Sequence, residues 1–152
     1  MKTKTTIISI AATMIIAATA CSHFPYDDSG DYGRNWRLVQ VDTLSTGKTG
    51  DYAAKNVFWS IQGSIFEITE KLPTSVFQQR GIVFHYDQKP DSLILKEPRY
   101  NIRKKGDPQV EDIKVLQPFG VNEIPETLVV EKIGGDKMTL RSKLLRLRFK
   151  SF

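Results

Sequence analysis

From Asn35 to the C-terminus, apolar residues recur at every second position, the spacing of strands that bury one face. Trp36 and Leu38 alternate with Arg37, and Val39 and Val41 fall on the opposite face, so this first strand is expected to be covered at least partly on both sides. The stretch from Val57 to Thr69 is dense in β-branched and aromatic residues. Gly63-Ser64 at its centre is a two-residue hairpin signal with glycine first. The competing reading is one long strand with a bulge at the glycine. Ile82, Phe84 and Tyr86 alternate with Val83 and His85; the cluster Asp87 to Asp91 makes a turn, and Leu93 to Leu95 supplies the returning strand. Leu128 to Ile133, Met138 to Arg141 and Leu145 to Phe149 form a three-strand meander. In its last strand Leu145, Leu147 and Phe149 alternate with Arg146, Arg148 and Lys150.

The connections are polar. Residues 44–55 and the stretch from Leu72 to Arg80 read as loops. Residues 97–126 hold Pro98, Pro108, Pro118 and Pro125, which do not fit inside central strands. This long excursion is expected to carry at most one helical turn, near Gln109 to Leu116, and loops of such length are generally functional or folded over something. Eight sequential strands with short links close most economically into an all-β, antiparallel up-and-down barrel, which leaves no free edge. A two-sheet β-sandwich is the alternative.

Ahead of this domain the pattern is different. Met1-Lys2-Thr3-Lys4 precedes an apolar run from Ile7 to Ala20. As a helix that run would span about 21 Å, short of the roughly 30 Å of a bilayer core. It reads as a secretory signal, residues 1–20, rather than a membrane span. The chain's single cysteine, Cys21, follows the small residues Ala18-Thr19-Ala20 directly. That arrangement resembles the lipobox of bacterial lipoproteins, which implies cleavage before Cys21 and acylation of its sulfur, with palmitate among the chains attached. Residues 21–34 then form a lipidated, Gly-, Asp- and Ser-rich tether, and residues 35–152 the folded domain. Ser22 after the cysteine, in place of an inner-membrane-retaining Asp, implies an outer-membrane address by the same resemblance. Asp27, Asp28 and Asp31 lack the spacing and closing Glu of a calcium loop.

With 40% hydrophobic residues the chain can bury one independent core. Its formal charge of +5 loses Lys2 and Lys4 with the signal, so the basic excess is too small to point to nucleic acid. With Cys21 acylated no thiol remains for disulfide or redox chemistry.

Several stretches resemble the small lipocalin-like lipoproteins of Gram-negative envelopes. They are Gly33-Arg-Asn-Trp36-Arg-Leu38, Phe58-Trp-Ser-Ile-Gln62, Leu116-Gln-Pro-Phe-Gly120, and the closing Val130 to Ile133, Lys137 to Leu140 and Leu147 to Phe149. The resemblance covers the whole folded domain. It implies an eight-stranded barrel, and an Arg of the last strand, Arg146 or Arg148, laid over Trp36.

Candidate chemistry is sparse. His23 lies in the tether and His85 on a strand beside a turn, neither with a positioned nucleophile. No cysteine-based zinc spacing and no phosphate-binding glycine loop occurs, so no metal and no cofactor is expected. Glu67, Glu70 and Glu131 could pair as carboxylates, though solvated strand faces explain them more simply. Lys137, Arg141, Lys143, Arg146, Arg148 and Lys150 could dock an anionic lipid surface, or simply be the outward positions of the meander. Trp36, Trp59, Phe66, Phe84, Tyr86 and Arg146 are the candidate ligand-lining set, and the same aromatics could instead plug the barrel. Two functions are expected on these grounds. One is a non-catalytic, lipid-anchored envelope protein that binds a small apolar or amphipathic ligand. The other is a filled barrel acting through its surface as accessory or inhibitory partner of an envelope protein complex.

Overall fold

A computed structural model describes residues 32–71 and 80–152. Among the described residues there are nine strands: β1 (Asn35–Thr43), β2 (Thr49–Asp51), β3 (Val57–Gln62), β4 (Ile65–Glu70), β5 (Arg80–Gln88), β6 (Ser92–Tyr100), β7 (Glu126–Gly134), β8 (Lys137–Arg141) and β9 (Leu145–Ser151). All pairings are antiparallel, and β1 also bonds to β9, so eight strands close into a barrel in simple up-and-down order. The extra strand β2 comes from the stretch expected to be a plain loop. It takes the second half of β1's edge, opposite residues 40–42, while β3 takes the first half, opposite residues 35–37. Gly63-Ser64 is a two-residue hairpin, with Gln62 facing Ile65 and Gly63 at φ +57, a conformation glycine adopts without strain.

Two other local readings are corrected. A bulge between Leu38 and Gln40 shifts the phase of β1 by one residue, so Val41 turns inward behind Trp36 and Leu38 while Val39 is half-exposed. Strand β6 runs past Leu95 to Tyr100 and through Pro98. The proline is tolerated because β7 pairs with β6 only up to Leu95, and because the β5–β6 register breaks opposite Phe84. Glu97, at φ +49, makes that break. The meander and the alternation of β5 stand as read, while the turn expected over 87–91 shrinks to residues 89–91, because Asp87 and Gln88 still pair with Ile94 and Leu93.

The antiparallel order gives the barrel two distinct ends. Tyr32, the β3–β4 hairpin and the β5–β6 and β7–β8 turns gather at the entry end. Packing begins before β1, because Tyr32 is buried and its carbonyl accepts from Trp36 Nε1 at 3.3 Å. At the other end, the mouth, lie residues 44–56, 101–125 and 142–144. Here the long excursion folds back as a plug. It carries three 3₁₀ turns, Arg103–Lys105, Ile113–Val115 and Gln117–Phe119, where one at most was expected. Leu116, Phe119 and Val121 are buried in the same core as the strands. Gly120 makes this insertion possible: at φ +90 a Cβ would stand 2.9 Å from Leu147 Cδ2 on β9. Among the described residues no helix is long and apolar enough to cross a membrane.

Candidate ligand-binding site

Alternation carries the candidate aromatics inward from four adjoining strands, β1, β3, β4 and β5, and they meet. Trp59 lies edge-on to Phe66 at 5.4 Å and tilted against Phe149 at 4.8 Å, and Phe66 meets Phe84 at 5.9 Å and Tyr86 at 6.0 Å. Trp36 faces Trp59 across the β1–β3 pair. These contacts leave no room. Trp36, Trp59 and Phe66 are 1% exposed and Phe84 is fully buried. Walls of an internal cavity would count as exposed surface, so the entry half of the barrel is solid side chain. The indole N–H of Trp59 is sealed in this stack without an acceptor among the described residues. Tyr86 is half-buried and donates from its hydroxyl to the Gly63 carbonyl at 2.6 Å, which fixes it as a stopper against the hairpin.

Arg146 is elsewhere. It sits on the outer face of β9 and grips Glu131 of β7 with two bonds, Nε to Oε2 at 2.6 Å and Nη2 to Oε1 at 3.0 Å. Arg141 reaches the same carboxylate at 3.0 Å, and Arg148 pairs with Asp42 at 3.0 Å. Neither arginine lies over Trp36, because each has an acid on its own face of the barrel. The basic cluster is thus half neutralised across strands, and the carboxylates respond. Hydrogen bonding to Arg146 holds Glu131 below the usual glutamate range, and a bond from Gln40, with Thr49 and Arg148 in support, lowers Asp42. Glu67 bonds to Asn101 at 2.8 Å rather than to a second carboxylate. His85 is exposed and pairs with Glu97 at 3.1 Å. Among the described residues no three His, Cys, Asp or Glu side chains gather as a metal site. Cys21, His23 and the acidic tether residues lie outside the described residues.

Space opens at the mouth instead. A cavity of about 630 Å³ runs between the plug and the β4–β6 wall, lined by Ile82, Tyr100, Ile102, Val115, Pro118 and Phe119. Glu70, Asn101 and Lys114 supply its polar rim. This is within the size range of small-molecule sites and has their usual make-up of apolar walls with few polar groups. Apart from Glu70, considered only as a carboxylate partner, Ile82, read only as a strand residue, and the region of residues 97–126 as a whole, sequence reasoning pointed to none of these lining residues. The available signal was the run of apolar residues at 113, 115, 116, 119 and 121 inside an otherwise polar, proline-containing loop.

The plug is pinned by a buried acid. Glu126, 1% exposed at the start of β7, accepts through Oε2 from the backbone N–H groups of Asn122 at 2.6 Å and Glu123 at 3.1 Å. Burial pushes its pKa up, the two N–H bonds pull it partly back, and nearby Glu123 adds to the rise. A carboxyl whose folded pKa is raised stabilises the fold when protonated, and that contribution is lost as pH climbs through the folded pKa. Glu131 and Asp42 act with the opposite sign, stabilising above their unfolded pKa values and failing as pH falls. Denaturant titrations between about pH 4 and pH 8 are therefore expected to show a decline in stability on the neutral side that Glu126→Gln removes. A variant with the wild-type slope would show that the decline has another source.

The same architecture is found in known proteins. The chain matches the lipocalin-like domain family over residues 14–152. It belongs to that family. A crystal structure of a lipocalin-like protein from Bacteroides uniformis is similar at a TM-score of 0.61 and 20% identity, over 81% of this chain and 100% of that one. An uncharacterized protein from Bacteroides eggerthii is similar at a TM-score of 0.61 and 16% identity, over 80% of this chain and 99% of that one. No curated protein sequence matches the chain. At these identities the lipocalin-like likeness carries the barrel and not its contents.

Proposed function

We propose that this lipocalin-like chain is a lipid-anchored envelope lipoprotein, acylated at Cys21 and held at the outer membrane, whose barrel binds a small apolar or amphipathic ligand without catalysis. The observation that carries the binding role is the apolar cavity at the mouth, beside a barrel otherwise closed by its own side chains. The ligand's apolar part lies against Ile82, Ile102, Val115 and Phe119, and Lys114, which makes no ion pair among the described residues, suits an anionic head. The packed stack around Trp36 and Trp59 favours a second reading, a surface-acting accessory or inhibitory partner of an envelope complex.

Titration of the anchored protein with 1-anilinonaphthalene-8-sulfonate, an anionic apolar fluorophore, separates the two. The reading expects saturable binding, displaced by native envelope lipid extract and weakened at least about ten-fold by Ile102→Glu, which puts a charge repelling the anionic dye in the apolar cavity wall. Ile102 is 40% exposed, so the variant is expected to melt with the wild type. Binding indifferent to Ile102→Glu, or none at all, favours the surface-acting reading.

A further inference from the structure

Beyond Leu95, strand β6 parts from β7 and runs into a hairpin at the mouth. Arg99 bridges to Gln109, and the N–H groups of Tyr100 and Val110 donate across it to the carbonyls of Pro108 and Pro98. The tip is the 3₁₀ turn Arg103–Lys105, closed by bonds from the Lys105 and Gly106 N–H groups to the carbonyls of Ile102 and Arg103. Backbone bonds therefore hold three successive cations on one turn, and exposed Ile102 stands beside them on the lip of the mouth cavity.

Two arginines of this hairpin converge. Arg99 Nη1 lies 3.5 Å from the Asp107 carbonyl oxygen and Arg103 Nε 3.9 Å from the Asp107 carboxylate, in a cleft of about 540 Å³ beside β5 and β6. Lys104 and Lys105 are exposed and have no ion pair among the described residues. Asp107 is the only acid between Arg99 and Gln109, so the hairpin is strongly basic. The acids around it are engaged: Asp87 by Lys96 at 2.7 Å, Glu97 by His85 at 3.1 Å and Glu67 by Asn101 at 2.8 Å. Glu111 and Glu123 line a separate cleft with Ile113 and Leu116. On the basic face of β8 and β9, by contrast, Arg141 and Arg146 are held by Glu131 and Arg148 by Asp42.

We infer that the 99–109 hairpin docks the mouth of the barrel on an anionic phospholipid surface. Lipid phosphates meet Arg99 and Arg103, whose planar guanidinium groups suit phosphate oxygens, and Lys104 and Lys105 lie over the headgroups with Ile102 at the interface. This rests on the lipid-anchored reading and needs no ligand in the cavity. The reach is sufficient. Cys21 precedes Tyr32 by eleven positions, at most about 40 Å of chain, and a nine-residue strand such as β5 is about 30 Å long. An anchor joined at the entry end can thus pass the barrel and leave the mouth, with its cavity, facing the bilayer.

Acetylation of surface lysines, read by mass spectrometry, tests this on the acylated chain in nanodiscs of phosphatidylcholine alone or mixed with phosphatidylglycerol. Each Lys or Arg near an anionic leaflet raises affinity about five-fold, and the tether keeps the hairpin at high local concentration. Lys104 and Lys105 are expected to react at least about three-fold more slowly with phosphatidylglycerol present, while Lys137 and Lys150 at the entry end react alike in both discs. Arg99→Gln/Arg103→Gln weakens docking about twenty-five-fold and removes the protection, and both side chains are exposed, so the barrel is kept. Asp107→Asn, which suits the left-handed φ of +48 and removes the carboxylate facing Arg103, deepens the protection. Inorganic phosphate at matched ionic strength gives none in phosphatidylcholine discs. The inference is overturned if Lys104 and Lys105 react at one rate in both discs, or if Lys137 and Lys150 are shielded instead. It is equally overturned if the arginine variant stays protected, or if dissolved phosphate shields as well as the lipid does. A chain lost from phosphatidylcholine discs, yet shielded at Lys104 and Lys105 by phosphatidylglycerol, would end the anchored reading and support the docking.

Discussion

Cys21→Ser protein is expected in the aqueous phase after detergent phase separation, where the wild type is in the detergent phase. A single myristoyl-length chain gives only marginal membrane binding, whereas the two or more chains expected on a lipoprotein cysteine hold it stably, at about 0.8 kcal/mol for each buried CH₂. A serine oxygen in place of the sulfur removes all of them at once. Among the described residues no helix is long and apolar enough to cross a membrane. The folded domain should be untouched, because Cys21 lies eleven positions before Tyr32, the first described residue of the buried core. Intact mass of the purified wild type should show the added acyl groups, and the serine variant should melt at the same temperature. A serine variant that stays in the detergent phase would end the lipoprotein reading while leaving the barrel as it is.

The second large effect is in the core. Trp59→Ala is expected to cost about 3–5 kcal/mol, the range for deleting a large buried aromatic. The ring touches Phe66 and Phe149 and faces Trp36, so its removal leaves a hole walled by rigid aromatics that cannot easily collapse. Against a domain stability of roughly 5–15 kcal/mol, that loss leaves the protein marginal or unfolded at 37 °C. Trp59→Phe, which keeps most of the apolar volume and drops an indole N–H that has no acceptor among the described residues, should lose far less. Urea denaturation measures both. A Trp59→Ala protein within about 1 kcal/mol of wild type would mean that the space at Trp59 is not tightly filled.

Much of this fold could be read from the chain because the physics behind it is local. In β9 and β5 the alternation is unbroken, and a two-residue glycine-first turn admits one register for β3 and β4. What escaped depends on partners distant in sequence. Val39 and Val41 are both apolar, so the bulge that separates their faces leaves no mark on the pattern. Pro98 argued against a strand, yet it falls where β6 has lost its second neighbour. The resemblance implies Arg146 or Arg148 over Trp36, yet Glu131, two strands away, holds the first and Asp42 of β1 the second. The candidate aromatics Trp36, Trp59, Phe66, Phe84 and Tyr86 do converge, as alternation on adjoining strands implies. Whether converging rings surround a space or fill it depends on ångström-scale packing, which a residue pattern does not encode. The mouth cavity was hidden for a related reason, since its inner wall is the plug, and that insertion is a tertiary event made possible by Gly120 beside Leu147.

Methyl nuclear Overhauser contacts to bound 1-anilinonaphthalene-8-sulfonate test most directly whether small molecules are held beside the plug rather than inside the barrel. The account predicts contacts from the dye to the methyl groups of Ile82, Ile102 and Val115. Contacts to Leu93, Leu140 and Leu147, with shifts of the Trp36 and Trp59 indole signals, would contradict it.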